Sequence, residues 1–70
     1  MPRYLIIRQQ DGWVVCSDDR RVIARSDRKR EAAARGRELL REHGGGELVI
    51  HRASGRLHEV DRIVGNAPAG

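Results

Sequence analysis

Aromatic residues are nearly missing from this chain. Trp13 and Tyr4 are the only two among 70 residues, and there is no Phe. Small cores usually draw much of their buried area from aromatic rings, so this one has to be assembled from Leu, Ile and Val. The chain is also near the length below which a single core barely offsets chain entropy. A second copy would help to close it, since association stabilises an undersized domain by mass action.

Cysteine is almost absent too. The single Cys16 excludes an intrachain disulfide framework and a Cys-based metal site. It reads as a small apolar residue on a strand. No long apolar run occurs, so neither a signal peptide nor a membrane span is expected, and a reducing cytoplasm is the natural setting.

What the chain has in quantity is arginine. There are 14 Lys+Arg against 10 Asp+Glu, a formal charge of +4, and 13 of the 14 cations are Arg. This balance permits nucleic-acid binding without requiring it.

Two β-rich segments, Tyr4-Leu-Ile-Ile-Arg8 and Gly12-Trp-Val-Val-Cys16, flank Asp11-Gly12, a strong turn signal for a hairpin. Asp18–Arg21 is a polar connection, and Val22-Ile23-Ala24 either extends the sheet or packs under the helix. A helix is predicted over Asp27–His43, with Asp27 as N-cap. Ala32, Gly36, Leu39, Leu40 and His43 form its buried stripe. Gly36 on that stripe costs up to about 1 kcal/mol of helix propensity, which implies close approach to the sheet. The outer faces carry Arg30, Arg37 and Arg41 beside Glu31, Glu38 and Glu42, with Glu31–Arg35 and Glu38–Arg41 placed to pair. Gly44-Gly45-Gly46 ends the helix.

A second hairpin follows, Glu47-Leu-Val-Ile-His51 to Leu57-His-Glu-Val-Asp61, turning at Ser54-Gly55. A two-residue turn there sets His51 opposite His58, Ile50 opposite Glu59 and Val49 opposite Val60. Tyr4–Ile7 and Leu48–Ile50 are then apolar on both faces, more than one helix covers. The expected fold is α+β, β-β-α-β-β: an antiparallel sheet of about four strands with one helix across one face. Residues 1–64 make the domain and 65–70 a flexible tail.

The combination of Asp11-Gly12-Trp13-Val-Val, Glu31-Ala32 opening the helix, and Glu47-Leu-Val-Ile-His51 with Gly55-Arg56-Leu57 and Asp61 resembles the bacterial family known as domain of unknown function 2188. The resemblance runs from about Tyr4 to Ile63. The chain departs from the family in having Ser26-Asp27-Arg28 where a threonine is usual, and Asp61-Arg62-Ile63-Val64 where Asp-Ser-Tyr-Gly is usual. The family implies an α+β domain, no established activity and no catalytic residues.

No motif for catalysis, cofactor or metal is present. His51 and His58 supply two ligands where zinc needs three or four, and Cys16, Ser17, Ser26 and Ser54 have no base at motif spacing. Gly44-Gly45-Gly46 follows a helix rather than opening one, unlike a phosphate loop. His43 reads as a helix C-terminal residue bonding a free carbonyl. No enzyme activity, cofactor or small-molecule substrate is therefore expected. The first functional expectation is an interaction or assembly module, a homodimer or a complex with another protein, centred on Val49, Val60, His51 and His58. The alternative is a nucleic-acid module contacting phosphates through Arg20, Arg21, Arg25, Arg28, Lys29, Arg30, Arg37 and Arg41.

Overall fold

A computed structural model describes residues 2–66. The elements are β1 (Arg3–Gln9), β2 (Gly12–Ser17), β3 (Val22–Ser26), α1 (Lys29–Glu42), β4 (Gly45–His51) and β5 (Leu57–Val64). The strands form one sheet in the order β3-β2-β1-β4-β5. The architecture is α+β, as expected, but the sheet has five strands and is mixed. β1 runs parallel to β4, while the other three neighbouring pairs are antiparallel.

Strand parity explains the difference. Val22–Ser26 is a full third strand paired with β2. Three alternating strands followed by one helix bring the chain back pointing along β1, so β4 must add parallel to it. With only two strands before the helix, the return strand would have been antiparallel.

One core lies between helix and sheet. Ile6, Val15, Leu48, Ile50 and Ile63 meet Ala32, Ala33 and Leu40 there. Gly36 lets the helix settle: a Cβ at this position would stand 2.7 Å from Leu48 Cδ1 and 3.2 Å from Ile6 Cδ1. Trp13 and Leu39 pack at the margin, half-buried.

Several local expectations need correction. The first turn is Gln10-Asp11, with Gln9 paired to Gly12, so Gly12 is already in β2. Gly12 is required by a neighbour rather than by turn geometry, because a Cβ there would lie 2.8 Å from the Ser26 carbonyl oxygen. The helix begins at Lys29 with Arg28 as N-cap, and no side chain caps its amides; Asp27 lies one residue too early. His43 is exposed at the C-cap, where its backbone N–H, rather than its ring, bonds the Leu39 and Leu40 carbonyls. The stripe therefore runs through Ala33 instead of His43. Along the helix the ion pair formed among the described residues is Arg35–Glu38, at 3.5 Å.

The second hairpin turns through three residues. The Gly55 N–H bonds the Arg52 carbonyl at 2.8 Å, and the Arg52 N–H bonds the Arg56 carbonyl at 2.7 Å. Gly55 has φ +93°. This is a turn closed by a glycine bulge, the commonest three-residue hairpin. Of the stretch read as a tail, Gly65 and Asn66 are described, and the Asn66 N–H bonds the Arg41 carbonyl at 3.1 Å; residues 67–70 lie outside the described residues.

Candidate interaction surface

Among the described residues the sheet has a second face with no helix on it. Alternation along the strands sends Leu5 and Ile7 of β1, Val14 and Cys16 of β2, and Val49 of β4 to that side. There they form a cluster of their own. Val60 pairs with Val49 and shares its face. Leu5, Val14 and Cys16 are already buried by their neighbours, whereas Val60 is 50% exposed. This face is thus more closed over β1 and β2 than two-faced apolar strands suggest, and more open toward β5. Ile23 of β3, 41% exposed, is a further apolar residue out in solvent.

A charged row borders the apolar one. Arg3 of β1 pairs in register with Glu47 of β4, which pairs in register with Arg62 of β5. The Arg3 guanidinium donates to the Glu47 carboxylate at 3.1 Å and reaches Asp18 at 4.0 Å. Arg62 has no ion-pair partner among the described residues. Arg25, opposite Val14, stands on the same face. Burial pushes the Cys16 thiol up, opposed by the Arg20 and Arg25 guanidiniums. At the β2–β3 turn the Ser17 hydroxyl donates to Asp19 and holds that carboxyl below its ordinary range.

His51 and His58 do not face each other. A shift in register between Ile50 and His51 places Leu57 opposite His51 and leaves His58 as the extra residue of a bulge. The bulge follows from the three-residue turn, which adds one residue to the returning strand. His51 Nδ1 lies 3.2 Å from the Gly55 carbonyl oxygen, and His58 Nε2 lies 3.7 Å from the Glu59 carboxylate. Among the described residues no group of three or more His, Cys, Asp or Glu is placed to hold a metal ion. Among the described residues no helix is long and apolar enough to cross a membrane.

The eight basic residues do not form one patch. Arg20 and Arg21 lie in the β2–β3 turn, while Arg28, Lys29 and Arg30 lie beyond the other end of β3. Five strand residues separate the groups by roughly 16 Å. Arg25 is on the sheet face away from the helix. Lys29 Nζ sits 5.3 Å from the Trp13 ring centroid. Arg37 is drawn to the sheet by Asp61, 2.7 Å away, and Arg41 is exposed near the helix end.

The model of DUF2188, described as an uncharacterized protein conserved in bacteria, matches residues 4–63. The chain belongs to this family. Neither a curated protein nor a solved structure matches it. The matched span begins in β1 and ends in β5, so all six elements fall within it wholly or in part.

The sequence reading located Val49 and Val60 but missed the Arg3–Glu47–Arg62 row and the closed cluster of Leu5, Val14 and Cys16. The alternation of Trp13 and Val15 with Val14 and Cys16 carried part of that signal. The row required knowing that β1 lies beside β4.

Proposed function

We propose that this DUF2188 chain is a small non-catalytic interaction module that meets a second copy of itself through the sheet face opposite the helix. The observation that carries the reading is the half-exposed Val60 beside Val49, continuous with the Leu5–Val14–Cys16 cluster, on a face that no element covers among the described residues. The charged row favours a self-partner. Glu47 lies between Arg3 and Arg62, so a two-fold contact can set Glu47 of one copy toward Arg62 of the other. The buried, free Cys16 thiol fits a reducing compartment such as the cytoplasm.

Sedimentation velocity from about 1 to 100 μM tests it, a range that corresponds to dissociation free energies of roughly 5.5–8 kcal/mol. The parent should shift from monomer to dimer within that range, and Val60→Lys should stay monomeric while remaining folded. A parent that sediments as a monomer throughout overturns the reading. Nucleic acid is the second reading, favoured by Arg28, Lys29 and Arg30 standing together at the helix start. Its signature is binding that falls steeply with salt and weakens when the three are changed to Gln.

A further inference from the structure

A groove opens on the helix side of the molecule, away from the sheet face discussed above. It lies between the first half of α1 and the β4–β5 hairpin and has a volume of about 430 Å³. Its apolar lining comes from Ala33 and Ile50, both part of the core. Lys29, Arg30 and Arg37 line it from the helix, and His58 and Glu59 from β5.

The bulge accounts for the opening. β5 is exposed from Leu57 through Val60 and gains core contact only at Ile63. The helix and the hairpin are therefore closed together near Arg37–Asp61 and parted beyond it.

Lys29 is held over the Trp13 ring and Arg37 is paired with Asp61, whereas Arg30 has no ion-pair partner among the described residues. Lys29 and Arg30 sit in the first helical turn, where cations oppose the helix dipole, and no side chain caps the amides. Arg37 gives Asp61 one terminal nitrogen, and no other hydrogen bond from its guanidinium is formed among the described residues. Asp61 thus fixes the planar fork at the groove's edge with donors to spare, the geometry suited to a carboxylate or phosphate. Lys29, Arg30 and Arg37 against Glu59 and Asp61 leave one formal positive charge. The volume falls within the range of small-molecule sites, roughly 300–1,000 Å³.

We propose that this groove binds a small organic anion, a phosphate or carboxylate carried on an apolar body. The apolar body rests on Ala33 and Ile50, and the anionic group meets Arg30 and Arg37.

The test is a titration of ¹⁵N-labelled protein with phenyl phosphate, read by amide chemical shifts, beside inorganic phosphate and benzyl alcohol. Saturable shifts are expected at residues 29–33, 50 and 58–59, with inorganic phosphate and benzyl alcohol each at least about threefold weaker. Arg30→Gln should weaken binding about threefold, and Glu59→Gln should tighten it by a similar factor, the scale of exposed ion pairs. Both side chains are exposed, so both variants should fold. Tightening by Glu59→Gln is a result that a purely structural role for the groove would not give. Shifts scattered without saturation, an equal response to inorganic phosphate, or no tightening in Glu59→Gln would overturn the proposal.

Discussion

Gly36→Ala should destabilise this protein, although the same change stabilises most exposed helices. In a solvated helix interior, replacing Gly by Ala gains about 1 kcal/mol of propensity. Here the new methyl would stand 2.7 Å from Leu48 Cδ1 and 3.2 Å from Ile6 Cδ1. Neither neighbour can swing into water, because both are fully buried between helix and sheet. Overpacking a closed core by a methyl costs about 1–3 kcal/mol. The difference is a net loss of about 1 kcal/mol, within a range from zero to 2. For a domain of this size that lowers Tm by roughly 4–8 °C. Urea and thermal unfolding followed by circular dichroism would measure it. Leu48→Val removes the Cδ1 atom and relieves the closest clash. Adding Gly36→Ala in that background should therefore cost less than in the parent, or even stabilise. If Gly36→Ala alone raises stability by the full propensity gain, the helix does not sit as close to β1 and β4 as described.

Further outcomes can be measured on the same protein. Arg37→Gln should cost about 0.5–1 kcal/mol, the scale of a partly exposed ion pair, and Asp61→Asn should cost a similar amount; adding the second change to the first should cost little more. Cys16 should resist alkylation by iodoacetamide under native conditions and react on unfolding, because it is buried and its thiol is pushed up by burial. A raised folded-state value favours the neutral thiol, so that contribution to stability is present below the unfolded pKa and lost as pH rises through the folded one, on the alkaline side. Asp19 has the opposite sign. The Ser17 hydroxyl lowers its folded-state pKa, so its contribution is present above the unfolded value, near 3.9, and lost as pH falls through the folded one. Ser17→Ala should reduce the acid-side slope of stability against pH, and an unchanged slope would show that the hydrogen bond is not kept in solution.

The parts of this fold that are local in sequence were legible. Alternating Val and Ile around a tight turn, a helix bounded by a glycine run, and a second hairpin all rest on neighbours within a few residues. The third strand was harder to read, since Val22-Ile-Ala-Arg-Ser26 holds only two large apolar residues and both are exposed. Its pairing with β2 supplies the reason it is a strand, and pairing is not local. The turn at Gly55 was identified but placed one residue off. That offset shifted the expected opposition of His51 and His58 while leaving Val49–Val60 and Ile50–Glu59 intact, because the bulge restores the register beyond it. The basic residues were visible as a cluster along the chain, yet β3 separates them in space. The groove joins residues 29–37 to residues 50–59, a juxtaposition that only the tertiary fold creates.

A mismatch of widths adds to the bulge in opening the groove, and the far face is left bare because α1 is the one helix among the described residues. Five strands at about 4.8 Å spacing make a sheet roughly 19 Å across between its outer strands. One helix with its side chains is about 10–12 Å wide, so it covers little more than half of one face. It settles over the centre, where Leu48 and Ile6 press on Gly36. β5 at one edge is left partly uncovered, which opens the groove beside Ala33 and Ile50, while the far face receives no helix among the described residues. Filling either space adds binding to the native state alone and should raise the unfolding temperature in proportion to occupancy. Chain association should therefore make Tm rise with protein concentration, whereas an anion in the groove should raise Tm at fixed protein concentration. Val60→Lys should abolish the first effect and spare the second, and Arg30→Gln should reduce the second and spare the first. Loss of both effects in either variant would mean that the two surfaces are not independent.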